Sequence, residues 1–256
     1  MEKKESKERK GETKPEEAQE EQAQETQAKE EETTEELPEA TKKEEWIPKT
    51  KLGQRILKGE FKTLEDVLKA GELILESGIV DYLVPDLKSE IIYIGGSPGK
   101  GGGIRRTATK RTVRVHKSGR RFKLSALVVV GNSDGIVGLG KASSQEHRLA
   151  IEKATEQAKL NVIKIRRSCG SWECGCEENH SIPFKTTGKS SSVRVELLPA
   201  PRGVGIVANK EAKKILELAG IKDIWVRAFG QTRTRTNLIY AIFNALKNLN
   251  ATKGDL

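Results

Sequence analysis

The amino-acid sequence predicts an α+β protein built from two mixed parts. Apolar residues recur at helical spacing in 63–74 and 236–250, and they alternate at strand spacing in 111–130. Helical and extended patterns therefore follow one another in both halves of the chain, as they do in layered α+β proteins. We predict three segments: a disordered acidic tail over 1–45, a first domain over 46–168 and a second domain over 169–256.

The charge of the chain is divided between its two ends. Residues 1–45 carry 9 Lys or Arg and 17 Asp or Glu, with no aromatic residue. Such a segment buries too little apolar surface to fold, so we expect disorder, and either an expendable tail or a docking or shielding role. The other 211 residues carry 37 basic and 20 acidic residues. This excess favours a nucleic-acid partner over a membrane surface, and the charged start predicts an intracellular protein with reduced cysteines.

The first predicted element is a helix over 63–74, with Thr63 as its N-cap. Six glycines then fall within 95–103, and we expect no stable element in that tract. The tract leads into Arg105 and Arg106, which are candidate contacts to RNA phosphate.

An antiparallel hairpin is predicted over 111–130, with Ser118-Gly119 as its turn and Phe122 on the inward face. Its tip and approach carry seven cations: Lys110, Arg111, Arg114, Lys117, Arg120, Arg121 and Lys123. This density predicts a surface that binds RNA phosphate, and a charge-protected sheet edge is the alternative. Because the chain has few aromatic residues, we expect recognition of RNA backbone and shape rather than base stacking.

A third strand over 136–143 and a helix beginning at Ser143 complete the first domain. Ser143 and Glu146 have the spacing of a capping box, and the helix is expected to lead into a strand near residue 165. His147 shares a helix face with apolar residues, so we expect it in the core or at its boundary. The order α-β-β-β-α in a basic protein is that of a double-stranded-RNA-binding domain.

The second domain is predicted to be a two-layer α/β unit. Its expected elements are paired strands over 182–188 and 192–200, a short strand near 208, a helix over 209–220, a strand over 223–229 and a helix over 236–250. Arg202, in a glycine loop, either contacts RNA phosphate or faces solvent. Arg233 and Arg235 precede the last helix, where both are candidate phosphate contacts.

Residues 135–142 nearly match the nucleotide-binding pattern G-x-x-x-x-G-K-[ST]. Ala142 lacks the hydroxyl that would bind magnesium, and Gly138 interrupts the phosphate cradle. We interpret the stretch as a strand whose glycines allow another backbone to approach closely. That backbone is either RNA, contacted by Gly138, Gly140 and Lys141, or a packed helix.

Cys169, Cys174, Cys176 and His180 fall within twelve residues as C-x4-C-x-C-x3-H. Thiolates and imidazole are the ligands of tetrahedral structural zinc, so a zinc site is one interpretation of this cluster. Reduced thiols in a linker and a catalytic thiol are the alternatives.

Two blocks of sequence resemble one known family. Residues 120–154, RRFKLSALVVVGNSDGIVGLGKASSQEHRLAIEKA, resemble the signature of the fifth protein of the small ribosomal subunit. Residues 190–235 resemble the C-terminal domain of that family, and CGSWECGC followed by HSIPF is similar to its archaeal branch. The resemblance covers about residues 46–250 and leaves out the acidic tail.

The resemblance implies a first domain like double-stranded-RNA-binding domains and a second domain with a left-handed βαβ crossover. It implies a non-enzymatic constituent of the small subunit on the cytoplasmic ribosome, bound to small-subunit rRNA near the mRNA entry path. The family's roles are subunit assembly, decoding accuracy and contact with the neighbouring small-subunit proteins four and eight, and residues 105–123 would reach rRNA. The alternative function is a free-standing double-stranded-RNA-binding regulator or a kinase-fold enzyme.

Overall fold

A long central strand organises the first part of the computed structural model, which describes residues 46–99, 101–176 and 178–250. The acidic tail, for which we expect disorder, lies outside the described residues. The elements of the first part are α1 (Lys51–Leu57), α2 (Leu64–Lys69), α3 (Ser77–Leu83), β1 (Lys88–Ile91), β2 (Gly95–Pro98), β3 (Ile104–Thr107), β4 (Lys110–His116), β5 (Gly119–Gly131), β6 (Ile136–Ser144), α4 (His147–Leu160) and β7 (Val162–Lys164).

The thirteen-residue strand β5 pairs with three other strands. Its outer half pairs with β4 and its inner half with β1, while β6 runs antiparallel along its other edge and β7 follows β6. Helix α4 covers one face, where Ala154 and Ala158 pack with Val128. Leu127 and Val129 belong to a different hydrophobic cluster on the opposite face. Because both faces are covered, the inner half of β5 is apolar at consecutive positions rather than at alternate ones.

The second part forms a four-stranded sheet with two helices. Its elements are β8 (Thr186–Ser190), β9 (Val193–Pro199), β10 (Ile206–Val207), α5 (Lys210–Leu218), β11 (Ile224–Phe229) and α6 (Arg235–Asn248). The strand order is β10-β11-β9-β8, and β10 alone is parallel to its neighbour, so β10-α5-β11 is a βαβ crossover. The mixed α/β architecture of both parts confirms the predicted class at this level.

One hydrophobic cluster joins the two parts. Leu127 and Val137 of the first sheet lie in the same buried cluster as Leu216 of α5 and Leu246 of α6. The second part therefore covers the face of the first sheet that α4 leaves open. Within the described residues, no helix has the length and apolar character needed to cross a bilayer.

Two predicted helix limits are wrong. Thr63 is the N-cap as predicted, and it forms a capping box with Asp66, but the helix ends at Lys69 because Gly71 adopts a positive φ of 71°. The helix expected at Ser143 begins at His147 instead. Ser143 stays in β6 opposite Ser125, because the pairing with β5 continues to the end of that strand. His147 is exposed rather than at the core, and its Nδ1 lies 2.6 Å from the Thr109 hydroxyl oxygen.

The glycine tract contains a stable element, contrary to prediction. Strands β2 and β3 pair antiparallel from Gly95 opposite Thr107 to Pro98 opposite Ile104. Backbone pairing needs no side chains, and a Cβ at Gly95 would lie closer than 3.0 Å to the Thr109 carbonyl oxygen. Glycine therefore lets this small hairpin lie directly against the start of β4.

Candidate nucleic-acid interface and metal cluster

The predicted hairpin is present and its outer half carries the cations into solvent. Strand β4 is exposed at every position, and β5 becomes buried only from Leu124 onward. Phe122 is exposed, contrary to the prediction that it faces inward, because the hairpin extends beyond the covering helix. The Arg111 guanidinium lies 5.0 Å from the centre of the Phe122 ring, and this cation–π contact covers part of the ring.

The register of the hairpin places one pair of like charges directly opposite each other. Arg114 pairs with Arg121, and Val115 pairs with Arg120. Residues 91–133 contain no Asp or Glu. Within the described part of the chain, none of the hairpin cations forms an ion pair with an acidic side chain. Directly opposed like charges destabilise a sheet, so this surface is suited to a polyanionic partner.

Arg105 and Arg106 lie on the neighbouring small hairpin. Both are exposed in β3, opposite Ser97 and Gly96. The close approach of Gly95 to Thr109 places β2 against the chain that enters β4. The two arginines and the seven cations of the larger hairpin thus belong to adjoining hairpins.

Gly138 and Gly140 are buried under helix α4. A Cβ at either position would lie closer than 3.0 Å to backbone atoms of the helix, at Ala158 for Gly138 and at Ala154 and Ala158 for Gly140. The structure thus supports the packing alternative. Both glycines are buried against α4 and do not belong to the exposed basic surface. Lys141, the next residue, is exposed.

The three arginines of the second part differ in their surroundings. Arg233 is exposed. Arg202 is exposed and forms an ion pair of 3.0 Å with Glu178. Arg235 is largely buried and donates to the Glu211 carboxylate at 2.7 Å and to the Tyr93 carbonyl at 2.9 Å. Arg235 therefore joins the two parts of the chain and does not present its charge to solvent.

The four residues of the cysteine cluster converge on one point. The ligand atoms of Cys169, Cys174, Cys176 and His180 all lie within 4.8 Å of one another. The Sγ atoms of Cys174 and Cys176 are 3.0 Å apart, and Cys174 Sγ is 3.7 Å from His180 Nε2. The hydrogen bond with the Cys176 thiol, helped by the backbone N–H of Arg202, lowers the pKa of Cys174 to about 6.

Asp223 is a member of this site that the sequence did not reveal. Its Oδ2 lies 2.9 Å from His180 Nδ1, and both side chains are buried. Its Oδ1 accepts the backbone N–H groups of Gly203 and Gly205 at 3.1 and 2.7 Å. Because 43 residues separate His180 from Asp223 in sequence, only tertiary contacts bring the two together, among them the backbone N–H of Asp223, which donates to the His180 carbonyl at 3.1 Å. An acidic residue directly before a buried strand was the sole local signal.

Family models match both parts of the chain. The N-terminal domain of ribosomal protein S5 matches residues 106–166, and the C-terminal domain of ribosomal protein S5 matches residues 188–255. The chain belongs to the ribosomal protein S5 family.

Archaeal members of this family, named small ribosomal subunit protein uS5, resemble the chain over most of its length. The Methanocaldococcus jannaschii protein is 47% identical over 210 residues, which cover 82% of this chain and 90% of that protein. The Thermoplasma acidophilum protein is 48% identical over 80% of this chain and 86% of its own length. The predicted family, its archaeal type and its place on the cytoplasmic ribosome in translation are thus confirmed.

Proposed function

We propose that the chain is a non-enzymatic constituent of the small ribosomal subunit that binds small-subunit rRNA through its two basic hairpins. The observation that carries the proposal is the pairing of Arg114 with Arg121 on an exposed ladder, in a stretch of 43 residues that lacks any acidic side chain. The phosphate backbone of RNA supplies the opposite charge that the described residues do not provide. The names of the archaeal relatives support the ribosomal setting.

The proposed contact surface consists of exposed cations. Its members are Arg105, Arg106, Lys110, Arg111, Arg114, Lys117, Arg120, Arg121, Lys123, Lys141, Arg202 and Arg233. Phosphate contacts of this kind position a protein on RNA and carry little sequence information. We therefore expect recognition of rRNA shape rather than of individual bases.

The finer features implied by the resemblance belong to the same proposal. The surface would lie near the mRNA entry path, beside small-subunit proteins four and eight, and would serve subunit assembly and decoding accuracy. The first domain would have the double-stranded-RNA-binding topology, and the β10-α5-β11 crossover would be left-handed. The three antiparallel strands β4, β5 and β6 followed by α4 support the first of these features.

A paired substitution on the hairpin tests the RNA contact. Arg120→Ala with Arg121→Ala should weaken binding to small-subunit rRNA fragments and to unrelated duplex RNA by a similar factor, because phosphates are common to both. The salt dependence of log K should become shallower by about two units, one for each lost contact. Affinities measured by filter binding or anisotropy at several salt concentrations give both quantities.

Two exposed lysines outside the hairpins serve as the control for lost charge. Lys213→Ala with Lys247→Ala removes the same charge from α5 and α6 and should change RNA affinity less than twofold. An equal loss in both double variants, or a loss confined to one RNA sequence, would contradict the hairpin contact. Co-sedimentation of the labelled chain with small subunits tests the ribosomal setting, and ATP turnover that disappears in Lys141→Ala would instead support the enzyme alternative.

A further inference from the structure

We propose that Cys169, Cys174, Cys176 and His180 bind one structural zinc ion. The ion would link residues 169–180 to the loop that contains Arg202. The four ligand atoms lie within 4.8 Å of one another, which is the compactness that tetrahedral coordination requires. Zinc bonds of about 2.3 Å to sulfur and about 2.0 Å to nitrogen separate neighbouring ligands by about 3.5–3.8 Å. The 3.7 Å between Cys174 Sγ and His180 Nε2 already meets this geometry.

The imidazole of His180 is oriented as a metal ligand. The Asp223 carboxylate is an acceptor, so His180 Nδ1 carries the proton and donates it across 2.9 Å. The lone pair of Nε2 then faces the thiols. A buried carboxylate behind a histidine fixes the tautomer and the ring plane in metal sites, and here His180 is only 2% exposed.

The thiols are also arranged for ligation. The Sγ atoms of Cys174 and Cys176 are 3.0 Å apart, so a central cation would push them apart by less than about 1 Å to reach the tetrahedral spacing.

The proposed zinc site joins two segments that lack regular structure, residues 169–180 and the loop that contains Arg202. Residues 169–180 contain no helix or strand among their described positions, and a short bridge between Ser168 and Ser181 closes their base. Asp223 connects the cluster to the loop that contains Arg202. Its carboxylate accepts the imidazole Nδ1–H of His180 and the backbone N–H groups of Gly203 and Gly205. The ion would therefore hold the loop that bears Arg202 by way of His180 and Asp223. The metal site itself stands independently of the RNA-binding proposal.

Metal analysis of the full chain, purified under reducing conditions, is the direct test. We expect one zinc per chain by elemental mass spectrometry, and tetrahedral thiolate bands in the visible spectrum after exchange with Co²⁺. Cys176→Ser and His180→Ala should lose both signals. Substitution of the exposed His116, as His116→Ala, leaves the cluster intact and should retain both. Folded wild-type chain with neither zinc nor the Co²⁺ bands, or with a disulfide between Cys174 and Cys176 under these conditions, would overturn the proposal.

A variant of the supporting carboxylate separates a metal site from a merely structural histidine. Asp223→Asn keeps an oxygen for the glycine N–H groups and weakens the support of His180, so zinc affinity measured by chelator competition should fall about 10–100-fold. Removal of zinc from the wild-type chain should lower its thermal midpoint, and added zinc should restore it. Unchanged zinc affinity in Asp223→Asn, or a thermal midpoint that does not respond to zinc, would contradict the proposed zinc site.

Discussion

The role of a single residue in this protein does not always follow from its type. Arg235 resembles the other arginines of a basic chain, yet its guanidinium lies 2.7 Å from Glu211, whose side chain is 3% exposed. Glu211 also accepts the Tyr93 N–H at 3.2 Å. The pair therefore connects α5 and α6 to the chain after β1, and it belongs to the fold rather than to the surface.

Arg235→Ala should consequently act on stability. The change leaves the buried carboxylate of Glu211 without its partner, and loss of one member of a buried pair costs about 3–5 kcal/mol in the free energy of unfolding. Chemical denaturation measures this cost. Arg148→Ala removes the exposed pair with Glu152 and should cost no more than about 0.5 kcal/mol. A stable Arg235→Ala protein with weakened RNA binding would instead show that Arg235 contacts RNA.

Among the elements, the hairpin of β4 and β5 shows a correctly predicted strand pairing and a wrongly predicted burial of its outer half. The alternation of apolar residues predicts the pairing of the two strands correctly. The turn lies one residue earlier than predicted, because His116 pairs with Gly119 and leaves Lys117 and Ser118 as the two-residue turn that sets the register. Sequence did not reveal that the outer half stands free of the core, so Phe122 was placed inward. Whether a strand face is covered depends on helices and strands that are distant in sequence.

Arg114→Thr should separate the two properties of this element. Removal of one of two opposed arginines relieves repulsion and should raise the free energy of unfolding by about 0.2–1 kcal/mol at low salt. The gain should fade as salt screens the charges, and RNA affinity should fall because a phosphate contact is lost.

The control for this prediction is Lys110→Thr, since Lys110 lies opposite the neutral Ser125. It should weaken RNA binding without stabilising the chain. Equal stability changes in the two variants, measured by denaturation at two salt concentrations, would show that the opposed arginines do not repel each other in the free protein.

At the scale of the whole molecule, charge is distributed unevenly between tail and body. The chain has a net charge of +9, whereas residues 46–256, with 37 basic and 20 acidic side chains, carry +17. We propose that an acidic tail of this size competes with RNA phosphates for the basic surface. Such competition would favour selective over indiscriminate binding of polyanions.

Deletion of residues 1–45 should strengthen binding to non-specific RNA several-fold at low salt and have little effect at high salt. A tail of equal length in which eight of the seventeen glutamates are replaced by glutamine should behave like the deletion, because the remaining nine glutamates balance the nine lysines and arginines and the tail becomes neutral. Binding isotherms at two salt concentrations provide the measurement. Affinity that is unchanged by either alteration would assign the tail no electrostatic role.

The sequence by itself determined the order of most elements, the pairing of the hairpin, the cluster of thiols with His180, and the family. These features depend on local spacing and on composition, which a linear pattern records. The tertiary structure alone decided that Gly140 lies beneath α4, that Arg235 is paired with Glu211, and that Asp223 supports His180. Each of these depends on contact between residues far apart in the chain, and burial and partners are determined only when the two parts pack together.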